Sequence, residues 1–391
     1  MYSSQKVPKR GFSQTEFEQR LDRAQRHLVM FQLDAIVVTT PANVRYFTGF
    51  DTQFWESPTR PWFVVVPQTG EPVAVIPEIG APEMALTWIK NIRTWPAPRP
   101  SDDGTTLLAD TLSTLPRKFG RIGFELGREH SLRMPVTQFM ELRERLLGLE
   151  LTNGSLCIWE IRMVKTSAEV DHIRHVCQIV SAAYRAVPTL LSIGQTERDA
   201  CRRLRIDIAE RGADSTPFLP CVSGPGGVPQ IVCGPHDRTL QRGDILFIDT
   251  GSTYDGYYCD FDRNYAIGNV SDEAKRAHEI LWQATEAGIM AAVIGATSED
   301  LFRAMARFVE ANGCLGNVGR FGHGLGMQLT EPPSHMIGDK TVIQEGMVLT
   351  IEPGMEYAPG KILVHEENIV VTANGPLLLT DRAPRELPVI S

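Results

Sequence analysis

The 391-residue chain has no block of Lys or Arg, no long apolar run and no Cys-x-x-Cys pair. Each absence removes a class of function. With 47 acidic against 39 basic side chains the formal charge is −8, so a nucleic-acid or anionic-membrane surface, which needs a local excess of positive charge, is excluded. Runs such as Ala35–Val38 and Trp62–Val66 fall far short of the roughly 20 apolar residues that cross a bilayer. The first ten residues are polar and lack the apolar core of a secretory signal. Seven cysteines, scattered singly at 157, 177, 201, 221, 233, 259 and 314, read as reduced cytosolic thiols and disfavour a thiolate zinc site. The expectation is a soluble cytoplasmic protein. No Gly-x-Gly-x-x-Gly or Walker sequence follows a strand, which removes the common nucleotide loops. A metal, if bound, must be held by carboxylates and histidines.

What is present is enough chain for two domains. A capping box at Ser13-x-x-Glu16 opens an amphipathic helix through Phe17, Leu21, Ala24, Leu28 and Phe31. Short strands are expected at Ala35–Val38, Trp62–Val66, Val73–Ile76 and Arg121–Phe124, and their alternation with helical segments indicates a small α/β domain. A second capping box, Thr166-x-x-Glu169, starts a long helix through Val170, Ile173, Cys177 and Val180. The domains are placed at 1–157 and 158–391. The second is α+β, with helices at about 272–293 and 298–312 by apolar spacing.

Two segments of the second domain look alike. Gly243-Asp-Ile-Leu-Phe-Ile-Asp249-Thr-Gly251 and Gly346-Met-Val-Leu-Thr-Ile-Glu352-Pro-Gly354 share one spacing, and each is followed by a turn and a returning strand that carries more acid, Asp260-Phe-Asp262-Arg263 and His365-Glu366-Glu367-Asn368. They read as related hairpins. A turn centred on Tyr254-Asp255 would set Asp249 opposite Asp260, and the second hairpin can do the same with Glu352 and Glu366. Like charges so placed repel, and relief requires a raised pKa, an intervening Arg or a cation. Four carboxylates gathered among apolar strands are best explained by a metal. His323, flanked by Gly322 and Gly324, is a fifth ligand candidate. Oxygen ligands with one imidazole suit Mn, Fe, Co or Zn, and two such ions roughly 3.5–4 Å apart could hold a hydroxide nucleophile. Any one of these acids alone is more often a surface charge or half of an ion pair; the joint pattern favours the metal. His365 should point away from Glu366, because strand neighbours alternate faces.

With these motifs the chain resembles the creatinase, prolidase and aminopeptidase P group of the M24 metallopeptidases, which have the pita-bread fold. Asp34-Ala-Ile-Val-Val, Asn43-Val-Arg-Tyr-Phe-Thr-Gly49 and Ile161-Arg-Met-Val-Lys165 look like that group's N-terminal domain and its entry to the catalytic one. The resemblance implies a creatinase-like α/β N-terminal domain followed by an α+β pita-bread catalytic domain. It also implies two divalent ions (Mn, Co, Zn or Fe), with Asp249 on one, Asp260 and Glu366 bridging, and His323 and Glu352 on the other. Glu352 would also move protons. The implied activity is that of an Xaa-Pro dipeptidase or aminopeptidase acting on a small amide or short peptide, in a homodimer.

Departures from the pattern point to an unusual substrate. Thr330 stands where a peptidase histidine is expected, Val364 where an arginine is common, and Asp262 where the usual stretch has a threonine. Asp262 could be an acceptor behind the ligands, a proton carrier or an extra ligand; the plainer alternative is an ion pair to Arg263. His335 is a candidate substitute acid/base. Trp55 and Thr330 are candidate substrate contacts, ordinary burial being the simpler reading of Trp55. Alternative functions are a dimethylsulfoniopropionate lyase-like member, a C–N hydrolase of a small metabolite, and a metal-binding scaffold.

Overall fold

In the computed structural model, residues 7–57, 60–313 and 319–391 are described; Cys314 and most of the N-terminal segment read above lie outside them. The chain divides into a unit of Lys9–Arg162 and a unit of Met163–Ser391 joined by residues 7–8. The expected junction at 157/158 falls inside the helix Ser155–Met163.

The first unit is built on six strands, β1 (Ala35–Val38), β2 (Phe63–Pro67), β3 (Val73–Pro77), β4 (Asn91–Trp95), β5 (Arg121–Phe124) and β6 (Glu150–Asn153), in the order β4-β3-β2-β1-β5-β6. The four expected strands are the four central ones. The two not expected, β4 and β6, are the edges, where part of each strand faces solvent and the sequence lacks an apolar run. Ser13 caps the first helix by accepting from the Glu16 N–H at 3.2 Å, but the Glu16 carboxylate turns to Arg20 instead of closing the box. Glu125, just past β5, is buried and accepts from the hydroxyls and N–H groups of Thr39 and Thr40 and from Asn43. That fastens the end of β5 to the end of β1.

In the second unit the helix Ser167–Leu190 begins with a complete capping box, Thr166 and Glu169 exchanging side-chain-to-backbone hydrogen bonds. It buries Val170, Ile173, Cys177 and Val180 as the spacing requires. The strands are β7 (Ser215–Phe218), β8 (Cys221–Pro225), β9 (Asp244–Tyr254), β10 (Tyr257–Ile267), β11 (His323–Gly324), β12 (Glu331–Ser334), β13 (Val348–Ile351), β14 (Gly354–Ala358), β15 (Lys361–Val364), β16 (Glu367–Thr372), β17 (Gly375–Leu378) and β18 (Val389–Ile390). One sheet runs β18-β10-β9-β7 with β8 also on β9, another β12-β11-β13-β16-β17, and β14 pairs with β15 alone. Helices Asp272–Ala291 and Ser298–Ala311 place Leu281, Ala284, Leu301 and Met305 against Leu349, Ile351 and Ile369 of the second sheet. No helix among the described residues is long and apolar enough to cross a membrane.

Candidate metal centre

The register of the first hairpin corrects the expectation. Asp255 and Gly256 both have positive φ, 51° and 80°, the backbone of a two-residue turn favoured by Asp-Gly. The turn is therefore centred between 255 and 256, one residue later than expected, and Asp249 lies opposite Asp262 while Asp260 lies opposite Gly251. All four positions share one face. Gly251 supplies no side chain there, and a Cβ on it would meet Leu329 at 2.3 Å.

The second hairpin is interrupted where its acids fall. Ile351 pairs with Glu367 and Gly354 with Val364, so Glu352 and Glu366 occupy opposed positions in a continuous register, between the end of one ladder and the start of the next. Glu366 is buried and Glu352 half-buried. Asn368 fastens the two hairpins: its amide oxygen accepts from the Asp260 N–H at 3.0 Å and its amide nitrogen donates to the Asp260 carbonyl. His323 stands on β11, whose Gly324 pairs with Leu349 of β13.

These elements bring ligand atoms of Asp260, His323 and Glu366 within 4.8 Å of one another, all three buried. The His323 Nε2 lies 3.4 Å from an Asp260 oxygen, and its Nδ1 is 2.8 Å from the Gly324 carbonyl. That contact makes Nδ1 the protonated nitrogen and leaves the Nε2 lone pair toward the acids. Asp249 and Glu352 lie outside that close group but near enough to repel its acids. Burial first, and then neighbouring carboxylates, push Asp249, Glu352 and Glu366 well above the usual carboxylate range, and burial does the same to Asp260 against the pull of Arg320. Among the described residues, one Glu366 oxygen and both Asp262 oxygens are buried without a hydrogen-bond partner. Buried oxygens of this kind need a counter-charge. The donor set, carboxylate oxygens with one imidazole, fits a divalent cation of the Mn, Fe, Co or Zn type.

The remaining candidates separate. His335 is fully buried; its Nδ1 faces the Ser298 hydroxyl at 2.7 Å. Burial and the neighbouring His323 pull its pKa down to about 3, so the ring is neutral near pH 7 and a poor proton acceptor there. The ring stands beside His323. Thr330 accepts a hydrogen bond from Arg320 at 3.0 Å, and Arg320 also reaches Ser334 at 3.1 Å. Trp55 belongs to the first unit, where it packs with Phe50, Trp62 and Arg133. His365 turns away from Glu366 to Thr285, Nδ1 to Oγ1 at 3.0 Å, as strand alternation requires. Val364 sits in an apolar cluster with Val222, Val228 and Phe247.

Four residues near the site carried no signal of their own. Arg320 is a lone arginine in a glycine-rich stretch. Asn368 is visible only as the neighbour of two glutamates. The buried pair of Lys165 and Glu331, at 3.0 Å, joins positions 166 residues apart.

The model of metallopeptidase family M24 matches residues 171–373, and that of the creatinase/prolidase N-terminal domain matches residues 20–164. An Xaa-Pro dipeptidase of Pyrococcus horikoshii is 30 % identical over 67 % of this chain and 74 % of its own. One of Pyrococcus furiosus is 26 % identical over 95 % of this chain and 99 % of its own. Among solved structures, the dipeptidase PepE of Mycobacterium ulcerans superposes with a TM-score of 0.84 at 29 % identity, covering 97 % of this chain and 99 % of that one.

Proposed function

The chain belongs to metallopeptidase family M24, and on that premise we propose that it is a metal-dependent hydrolase of the Xaa-Pro dipeptidase or aminopeptidase type, cleaving a short peptide or small amide. The observation that carries the reading is the buried convergence of Asp260, His323 and Glu366, with Asp249 and Glu352 beside them. In this reading Asp249, Asp260, His323, Glu352 and Glu366 hold two divalent ions. When bound, such ions supply Lewis acidity toward a substrate carbonyl and toward a water.

The chain's own groups then have separate tasks. Glu352, half-buried and facing its partner Glu366, is placed to take a proton from the attacking water and return it to the leaving nitrogen. His323 is kept in one tautomer by the Gly324 carbonyl. Arg320, braced by Thr330 and Ser334, offers a positive charge beside the acids, and a substrate that ends in a carboxylate meets it there. That contact takes over the anchoring for which Val364 has no charge. The homodimeric assembly of the resembling enzymes is part of the same proposal.

The test is turnover. Protein loaded separately with Mn²⁺, Co²⁺ or Zn²⁺ is assayed on a panel of Xaa-Pro dipeptides and longer Xaa-Pro-led peptides, and hydrolysis is expected with at least one ion and abolished in Glu352→Gln. No turnover of any peptide with any ion rejects the peptidase reading.

A further inference from the structure

Asp262 is the residue that the family's usual pattern does not contain, and the two hairpins say what it does. In the second hairpin the acid six residues after the opening glycine, Glu352, faces Glu366 across the register. In the first, the acid six residues after its opening glycine is Asp249, and the residue facing it is Asp262. Asp262 therefore holds in the first hairpin the place that Glu366 holds in the second. The repeat brings a carboxylate to each of these four register positions. Asp260, two residues before Asp262, corresponds by the same count to Val364.

The surroundings of Asp262 agree. It is 1 % exposed, and neither carboxylate oxygen has a hydrogen-bond partner among the described residues. The plainer alternative, an ion pair to Arg263, is not formed. That guanidinium donates to the backbone carbonyls of Asp262, Glu366 and Asp381 and to the carboxylate of Glu367. Glu367 is itself held by Arg263, Arg382, Thr380 and the Ala383 N–H, so adjacent acids divide: Glu367 takes the arginines and Glu366 the cluster. Asp262 shares the face of Asp249 and Asp260, and no arginine is spent on its carboxylate. A buried carboxylate with two bare oxygens next to two others lacks only a cation.

Resting on the metal reading above, we propose that Asp262 is a ligand of the cation centre, a further carboxylate on the side where Asp249 stands. The ion on that side is then surrounded by carboxylate oxygen, which selects a hard divalent cation such as Mn²⁺ over softer ions.

The full-length chain is stripped with chelator, and Mn²⁺ uptake is measured by equilibrium dialysis and calorimetry for wild type, Asp262→Asn and Asp262→Thr, with the melting temperature of each metal-free protein recorded alongside. Both variants are expected to weaken binding of at least one Mn²⁺ by about tenfold or more, while melting at or above wild type without metal, because an uncompensated charge has been removed. Equal stoichiometry and affinity in all three proteins overturns the assignment. So does a metal-free variant that melts well below wild type, which makes Asp262 a packing partner. Wild type that takes up no Mn²⁺, Co²⁺ or Zn²⁺ removes the metal reading itself, a result distinct from either.

Discussion

Replacing Lys165 with Met should cost the second unit several kilocalories without touching any cation ligand. The Lys165 ammonium lies 3.0 Å from Glu331, and both side chains are buried. At that separation the gross attraction is about 5 kcal/mol for an effective dielectric near 20, most of it offset by the desolvation of the two charges. Removing the ammonium takes from the buried carboxylate the charge it faces, a loss of about 3–5 kcal/mol. On its other oxygen Glu331 accepts a 3.2 Å bond from the Gln328 N–H, a neutral donor that does not replace the ammonium. With a urea dependence of about 2–3 kcal/mol per molar, the midpoint of the unfolding transition of this unit should fall by about 1.5 M, followed by circular dichroism in chelator so that ion binding does not contribute. The double variant Lys165→Met/Glu331→Gln should recover most of the loss, since no net charge remains buried. A single variant within about 0.3 M of wild type, or a double variant no better than the single, would refute the reasoning. Because Glu331 begins β12, which pairs with the strand of His323, ion affinity in the single variant should fall with stability.

Two other expectations follow from the same geometry. Gly322 has φ +115°, and a Cβ there would stand 2.2 Å from the Thr350 carbonyl; Gly322→Ala should cost about 3 kcal/mol or more and displace His323, measured as lost ion uptake in dialysis, and wild-type uptake would contradict the placement of that ligand. The second concerns pH. Asp249, Asp260, Glu352 and Glu366 have raised pKa values in the folded chain, so above about pH 4 the folded state keeps protons that the unfolded chain has released. Stability from this source is complete at low pH and is lost as pH rises through the folded values. Cation binding needs the deprotonated acids and strengthens over the same range. The gap in melting temperature between ion-loaded and chelated protein should therefore widen from pH 5 to pH 8; a gap that stays constant or narrows would count against burial as the cause.

The parts of the molecule legible in the sequence are those with local causes. Central strands such as Val73–Pro77 read as apolar runs because both faces are covered, and the helix at Ser167 announces itself through a capping box that closes within four residues. The acids of the two hairpins were legible for the same reason: a shared spacing from glycine to acid is a local fact. What was misplaced was the register of β9 and β10. Asp-Gly prefers a turn in which both central residues have positive φ, and centring it on Tyr254-Asp255 moved every cross-strand partner by two residues. The contacts that had no local cause were not legible at all. Lys165 and Glu331, or Asp260 and Asn368, meet only after the sheets have formed, and nothing near either residue marks the partner. His335 shows the converse, since its proximity in sequence to Thr330 said nothing of how deeply the ring is enclosed.

Asn368 bears on how such a chain can diverge. Its carboxamide gives Asp260 the pair of hydrogen bonds that a neighbouring strand would otherwise give, so the two hairpins are riveted by side chains, this one together with Arg263 and Asn264, instead of being woven into a continuous sheet. The exposed turn at Pro359 and Gly360 closes the second hairpin well away from that rivet. Insertions there can accumulate over generations without respacing the carboxylates, whereas exchange of the amide would loosen the tie at Asp260 itself. Variation is thus cheap at the rim and costly at the few interior side chains that join the hairpins, and a lineage built on this plan is free to reshape what enters the site long before it can reshape what holds it together.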